Sequence, residues 1–310
     1  MLKHLYYRDR GTFLQSLHPA AILSYLAALL LLPLFLTHPL YLVSILLAGL
    51  LAAFTAEAAA GWCAYLTVGL WPALLLLLMN PLLSSNGHTV LFLLPPLPFI
   101  GGRTITLEAL CYGAVMGMRF LAIITAFALY NTQVHPDRVT GLLSRFAWKS
   151  ALLVSLATRM IPTLNRELSA AREVQQLRGV DFGTGNLRQR LQKYGWLLEL
   201  LLVSSLEGSL QTAEAMQARA FGSGPRSSYL RNPVRLRDYL CSFSAMAALL
   251  LLSIYARVRG YADFTFYPQL GRLVDGASGW FFYSAVMLSI LLPLIIGWGW
   301  QRWPYLRSKI

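Results

Sequence analysis

The stretch CAYLTVGLWPALLLLLMNPLL, residues 63–83, contains no charged side chain. About 20 largely apolar residues are enough for a helix to cross a bilayer, so this stretch predicts a transmembrane helix. Working outward along the chain, largely apolar segments of similar length recur at 19–36, 40–60, 109–131, 239–256 and 280–300. The sequence therefore predicts an all-α polytopic membrane protein with about six transmembrane helices.

The composition and the distribution of charge agree with a membrane protein. Of the 310 residues, 56% are hydrophobic and 13% are charged, with a mean hydropathy of +0.55, whereas a soluble domain has roughly 25% charged residues. The net charge of +13 does not indicate a nucleic-acid partner, because 15 of the 26 Lys and Arg lie between residues 132 and 238. Basic residues mark the cytoplasmic segments of membrane proteins, so both termini are predicted to be cytoplasmic.

These segments divide the chain into three predicted parts. Residues 1–131 contain transmembrane helices 1 to 4, residues 132–238 form a cytoplasmic helical region, and residues 239–310 contain the last two transmembrane helices. Between the third and fourth helices, an apolar run at 90–100 is too short and too interrupted by proline to span. It is predicted to be a re-entrant or interfacial strip.

The cytoplasmic region is predicted to contain three helices. Apolar residues recur at spacings of three and four over Asp137–Leu156, which predicts an amphipathic helix along the inner leaflet. Pro162 is predicted to begin a second helix that Gly179 ends. A third helix is predicted over about 186–220, with an apolar centre that packs on other helices.

The last two of these helices end in similar tripeptides. One is Leu177-Arg178-Gly179, in QQLRGVDFG, and the other is Ala218-Arg219-Ala220, in AMQARAFGSGPRSSY, which also contains Arg226. An arginine at a helix C-terminus offsets the helix dipole in any protein, so simple capping is one interpretation. The other is docking, because small neighbours let a helix end enter a groove on a partner and leave the guanidinium to bind a carboxylate.

Over these residues the chain resembles the transmembrane T component of energy-coupling factor (ECF) transporters, the group that includes cobalt-transport permeases. Its members carry two Ala-Arg-Gly-like tripeptides in a cytoplasmic helical region, the second followed by Phe-Gly and an arginine-serine stretch. The chain departs from that pattern at Leu177 and Ala220, and both arginines are retained.

The resemblance implies a coupling subunit in a bacterial or archaeal cytoplasmic membrane. Two ABC ATPase subunits would dock on the arginine-tipped helices at Arg178-Gly179 and Ala218-Arg219-Ala220, with Leu177 and Arg226 in support. Their ATP-driven closing would reorient a small membrane subunit, the S component, which captures a vitamin or a transition-metal ion. ATP and Mg²⁺ would bind to the ATPases, so this chain is expected to be no enzyme and to hold no cofactor or metal of its own.

One further arginine, Arg119, lies near the middle of the fourth predicted span. A charge at that depth usually faces the bundle interior and pairs with another group. We interpret Arg119 as an interhelical anchor, satisfied by backbone carbonyls or by Asn80. The alternative is a substrate or coupling site.

Two other functions compete with the coupling role. The first is a conventional ABC importer permease that binds substrate itself and docks through a Glu-Ala-Ala loop. Glu57-Ala58-Ala59 begins such a loop, but Cys63 stands where the expected glycine would be. The second is an intramembrane enzyme, which is disfavoured because all five histidines lie outside the predicted spans and Glu57 is the only acid well inside them.

Overall fold

The structure is a computed structural model that describes residues 10–56, 59–84, 87–93, 104–144, 146–183, 186–224, 234–259, 264–267, 271 and 276–302. These residues are mainly helical, which confirms the predicted all-α class. The elements, in chain order, are α1 (Phe13–Ser16), α2 (Pro19–Phe35), α3 (Pro39–Thr55), α4 (Ala59–Leu83), β1 (Val90–Leu93), β2 (Thr104–Thr106), α5 (Leu107–Gln133), α6 (Pro136–Leu143), α7 (Trp148–Leu177), α8 (Leu187–Ala218), α9 (Leu236–Arg259) and α10 (Gly276–Arg302).

The six predicted spans correspond to four long apolar helices and two shorter ones. Within the described residues, α4, α5, α9 and α10 contain stretches long and apolar enough to cross a membrane. The apolar helices α2 and α3 have 17 residues each, about 26 Å at 1.5 Å per residue. That length is at the lower limit for a transmembrane helix.

The chain forms two compact units, one of Met1–Val139 with Asn232–Ile310 and the other of Thr140–Arg231. In the first unit, α5 packs against α2, α3 and α4, while α9 packs against α2 and α10. Large, fully buried side chains of one continuous cluster in this unit are Tyr25, Leu29, Leu32, Leu36, Ile45, Leu129 and Val286. The apolar helices therefore share one core.

Two glycines bring α4 and α5 close together. A Cβ atom added at Gly113 would lie 3.1 Å from the carbonyl oxygen of Leu77, and one added at Gly117 would lie 3.1 Å from that of Ala73. Glycines four residues apart are a common device for close helix packing in membranes, because dispersion contacts replace the hydrophobic effect there. The pair therefore allows the backbones of α4 and α5 to approach.

The apolar strip after α4 begins as a strand. β1 pairs antiparallel with β2, with Val90 opposite Thr106 and Leu93 opposite Thr104. The strip was predicted to be re-entrant or interfacial, and its remainder, 94–100, lies outside the described residues.

Two predicted helix boundaries between residues 137 and 162 are wrong. The amphipathic helix predicted over Asp137–Leu156 is two helices, because α6 ends at Leu143 and α7 begins at Trp148. The prediction that Pro162 begins a helix is also wrong, since it lies inside α7. Proline keeps φ near the helical value and costs the helix one hydrogen bond, so the local sequence does not distinguish a first-turn proline from an interior one.

Candidate functional site

The C-terminal end of α7 is closed by backbone hydrogen bonds. Arg178 is the last residue of near-helical conformation, with φ −81° and ψ 5°, and Gly179 follows in the left-handed conformation with φ +87°. The N–H of Gly179 donates to the carbonyl of Gln176 and that of Val180 donates to the carbonyl of Gln175, each at 3.0 Å. This pair of bonds is a Schellman closure, which satisfies carbonyls that a helix end otherwise leaves free.

The C-terminal end of α8 has the same geometry. Arg219 is the cap residue, with φ −86° and ψ 11°, and Ala220 follows with φ +51°. The N–H of Ala220 donates to the carbonyl of Gln217 at 2.9 Å, and that of Phe221 donates to the carbonyl of Met216 at 3.0 Å. Both candidate arginines therefore occupy one position of one closing motif.

The two guanidinium groups are exposed and do not hydrogen-bond to the carbonyls of these helix ends. Arg178 and Arg219 are both exposed, as are Gly179, Ala218 and Ala220. Within the part of the chain that the structure describes, neither arginine side chain makes a hydrogen bond or a salt bridge. Backbone N–H groups, and not the guanidinium groups, close the last turn of each helix.

Of the two residues predicted to support docking, Leu177 and Arg226, the structure describes only Leu177. Leu177 directly precedes the first arginine and is 89% exposed. Arg226 lies outside the described residues, so its predicted supporting role stays a prediction.

A short connector joins α7 to α8. Asn186 caps α8 through a reciprocal pair of hydrogen bonds with Gln189. Along the helices, the Ser204 hydroxyl donates to Glu167 Oε2 at 3.1 Å, which joins the middle of α8 to α7. The carboxylate and the hydroxyl are far apart in sequence, and no local pattern indicated that they would meet.

The arginine at the end of α7 is close in sequence to the start of α8, and the second arginine follows the end of α8. The connector keeps the end of α7 close in sequence to the start of α8, whereas Arg219 follows the last residue of α8. With 32 residues, α8 is about 48 Å long. The two ends therefore suit two separate contact sites better than one shared site.

Most of the apolar surface of the second unit is not covered within the chain. Among the described residues between 140 and 224, only Ala151, Phe182 and Leu197 are buried. The apolar centre of α8 was predicted to pack on other helices, yet Trp196 is 48% exposed and Leu202 is 63% exposed. Large apolar surfaces of this kind mark contacts with a partner or a membrane.

In the first unit, Arg119 contacts a neighbouring helix end. Its Nη2 donates to the carbonyl oxygen of Leu36, the cap residue of α2, at 2.8 Å, and its Nη1 lies 3.6 Å from the Met116 sulfur. The predicted partner Asn80 instead donates from Nδ2 to the carbonyl of Ala109 at 2.7 Å. The positive guanidinium thus faces the negative end of the α2 dipole.

The structure does not test the Glu-Ala-Ala loop of the conventional-permease alternative. Glu57 and Ala58, which begin the Glu-Ala-Ala sequence, lie outside the described residues. Over the described ranges, no group of three or more His, Cys, Asp or Glu side chains is arranged to hold a metal ion.

Residues 10–229, which contain both helix ends with an arginine at the cap position, match the family model described as "Cobalt transport protein", CbiQ. The chain belongs to this family. The match covers most of the chain and ends at Tyr229, so it includes Arg119, α7, α8 and the segment that contains Arg226.

Several curated proteins similar to this CbiQ-family chain are named energy-coupling factor transporter transmembrane protein EcfT. The protein from Thermosediminibacter oceani is 29% identical over 168 residues, which are 51% of this chain and 63% of the relative. The protein from Heliobacterium modesticaldum is 28% identical over 199 residues, 61% of this chain and 72% of the relative. The Streptococcus thermophilus protein is 33% identical over 169 residues, 51% of this chain and 64% of the relative.

The match therefore spans roughly two thirds of the length of these relatives. Together with the apolar helices, it identifies the chain as a membrane protein of a transport family.

Proposed function

We propose that this protein is the transmembrane T component of an ECF-type importer. In this role it transmits the ATP-driven motion of two cytoplasmic ABC ATPase subunits to a small substrate-binding membrane subunit, the S component, for uptake of a vitamin or a transition-metal ion. The names of the curated relatives support an ECF role. The chain lies in the cytoplasmic membrane with both termini in the cytoplasm, and ATP and Mg²⁺ bind to the ATPases.

The observation that carries the proposal is the shared geometry of the α7 and α8 ends. Each presents an exposed arginine with no partner among the described residues, followed by a left-handed residue that turns the chain away. Backbone N–H groups bond to the last carbonyls of each helix, so the guanidinium groups are not needed for those hydrogen bonds and can add only a small charge–dipole term. The planar guanidinium remains available for a forked contact with a carboxylate on another protein.

The spacing of the ends favours two ATPase subunits. The end of α7 is close in sequence to the start of α8, whereas Arg219 lies at the far end of α8, a helix about 48 Å long. A long helix that contacts one subunit at its end is also suited to move as a lever when that subunit shifts. The uncovered apolar surface of α8 supplies area for a membrane or for the S component.

Reconstitution tests the assignment directly. The full chain, tagged and co-expressed with candidate ATPase and S-component genes that adjoin its own, is purified in mild detergent and placed in liposomes. Both ATPases should copurify, and uptake should require the S component. A conventional permease would instead transport with ATPases alone, and transport by the isolated chain would contradict both assignments.

A further inference from the structure

A half-enclosed cavity of about 160 Å³ lies in the first unit, where α2 and α9 begin. It is lined by residues 16–18 from the segment before α2, by Arg138 of α6, and by Arg235, Arg237 and Asp238 at the start of α9. Residues more than a hundred positions apart in sequence therefore meet at one end of the helix bundle.

Among the described residues that line the cavity, Asp238 carries the only carboxylate, and that carboxylate is hydrogen-bonded to backbone groups. Asp238 accepts from the N–H of His18 through Oδ1 at 2.9 Å and from the N–H of Arg235 through Oδ2 at 2.8 Å. Within the described ranges, no salt bridge joins it to an arginine. Asp137, next to Arg138 in sequence, has its carboxylate 3.7 Å from the Nδ1 of His135. The described lining residues therefore include three arginines but one carboxylate, and that carboxylate already accepts two backbone hydrogen bonds.

Arg237 is the most buried of the three arginines. It is 5% exposed, its Nη2 donates to the carbonyl of Ser16 at 2.9 Å, and its guanidinium carbon lies 6.0 Å from the centre of the Phe13 ring. Its Nε is buried and has no hydrogen-bond partner among the described residues. A buried donor on a charged group is costly to leave unsatisfied.

We propose that this cavity binds a phosphate group. Three guanidinium groups and the N-terminal ends of two helices face or border the cavity, and both features favour an oxyanion. The cavity adjoins the ends of apolar helices on the side that the basic residues mark as cytoplasmic, and basic pockets in that position bind anionic lipid headgroups. The phosphate is carried by an anionic phospholipid of the inner leaflet or is free in the cytoplasm, and the two sources are separable.

The experiment uses the full chain in mild detergent. Its thermal unfolding midpoint is measured with phosphatidylglycerol, with phosphatidylcholine at the same mole fraction, and with inorganic phosphate, while native mass spectrometry counts the retained lipid molecules. Phosphatidylglycerol should raise the midpoint more than phosphatidylcholine does. If inorganic phosphate raises it and phosphatidylglycerol does not, the cavity assignment stands and the source is soluble phosphate.

Matched variants show whether this cavity is responsible. Arg235→Gln is the principal test, because Arg235 is exposed and its side chain has no partner among the described residues. Losing one charge-assisted contact should weaken phosphatidylglycerol binding on the order of tenfold. Arg237→Gln should weaken it further but also removes the contact to Ser16. Arg188→Gln, an exposed arginine of α8, removes the same charge elsewhere and should leave the affinity unchanged.

Two results would overturn the proposal. One is an equal response of the wild-type chain to phosphatidylglycerol, phosphatidylcholine and phosphate. The other is equal loss of affinity in the Arg235→Gln and Arg188→Gln variants, which would show that net charge alone attracts the anion.

Discussion

The ends of α7 and α8 share one backbone geometry but differ in the residue that follows the arginine in the left-handed conformation. Gly179 adopts φ +87° and Ala220 adopts φ +51°. Glycine enters this region freely, whereas a residue with a Cβ atom pays roughly 1–2 kcal/mol. The closing bonds are nevertheless nearly identical, at 2.9 to 3.0 Å. The second end therefore keeps its shape without the residue best suited to it.

The same helix-end geometry therefore forms whether the left-handed residue is glycine or alanine. Common to both ends is an exposed arginine at the cap position, with a backbone closure that makes its side chain unnecessary for capping. Strained residues that are retained often lie at functional sites. The comparison therefore directs attention to the arginines and to the geometry that presents them.

The largest expected effect comes from removing both arginines. Arg178→Ala with Arg219→Ala should abolish copurification of the ATPases or uncouple ATP hydrolysis from uptake, while the membrane fold persists. Truncating one partner of a desolvated charge pair costs about 2–5 kcal/mol, which is roughly 30- to several-thousand-fold in affinity. A capping arginine contributes only about 0.3–1 kcal/mol. ATPase recovery and uptake into liposomes are the measurements.

Each helix supplies a control for its own arginine. Arg159 of α7 and Arg188 of α8 are exposed and have no side-chain partner among the described residues, so Arg159→Ala and Arg188→Ala remove the same charge away from the ends. Neither should affect assembly. Wild-type transport by the double end variant would show that neither arginine is needed to dock the ATPases.

Lysine substitution sharpens the comparison between charge and shape. Arg178→Lys and Arg219→Lys retain the positive charge but lack the planar fork that matches a carboxylate. Each should restore only part of the ATPase recovery lost in the corresponding alanine variant. Full recovery with lysine would mean that the ends attract the ATPases through charge alone.

Arg119 lies inside α5, and its guanidinium binds the C-terminal end of a neighbouring helix, α2. Arg119→Ala removes the 2.8 Å bond to the Leu36 carbonyl, and a hydrogen bond from a charged group contributes about 1.5–3 kcal/mol. The thermal unfolding midpoint in detergent should fall, with a smaller effect on substrate preference. Arg159→Ala again serves as the exposed control. An unchanged midpoint with altered substrate preference would favour the substrate-site interpretation.

The smallest effect is a reciprocal exchange of the two left-handed residues. Gly179→Ala should destabilise the end of α7 by about 0.5–1 kcal/mol, because the strain of a Cβ atom outweighs the smaller unfolded-state entropy of alanine. Ala220→Gly should stabilise the end of α8 by a similar amount. Hydrogen exchange of the amides of Val180 and Phe221, the outer closing bonds, should change about two- to fivefold in opposite directions. Changes of the same sign would contradict the strain assigned to Ala220.

Sequence patterns predicted the main features of the candidate site. The stop at Gly179 and the helix over about 186–220 are confirmed, because capping residues act within one or two turns of the chain. The start at Pro162 and a continuous helix over Asp137–Leu156 are wrong. Apolar periodicity shows which positions share a face, but it does not show where a helix breaks. The domain limits at residues 131 and 238 and the docking roles of the arginines stay predictions.

The sequence by itself determined that this is an α-helical membrane protein, because the free energy of moving a segment into a bilayer depends chiefly on the residues within that segment. Only the tertiary structure decided which groups meet across the chain. It placed Arg119 on the Leu36 carbonyl instead of Asn80, and it gathered Arg138 and Arg237 around one cavity. Such contacts depend on how helices distant in sequence pack together, and short-range sequence periodicity contains no information about that packing.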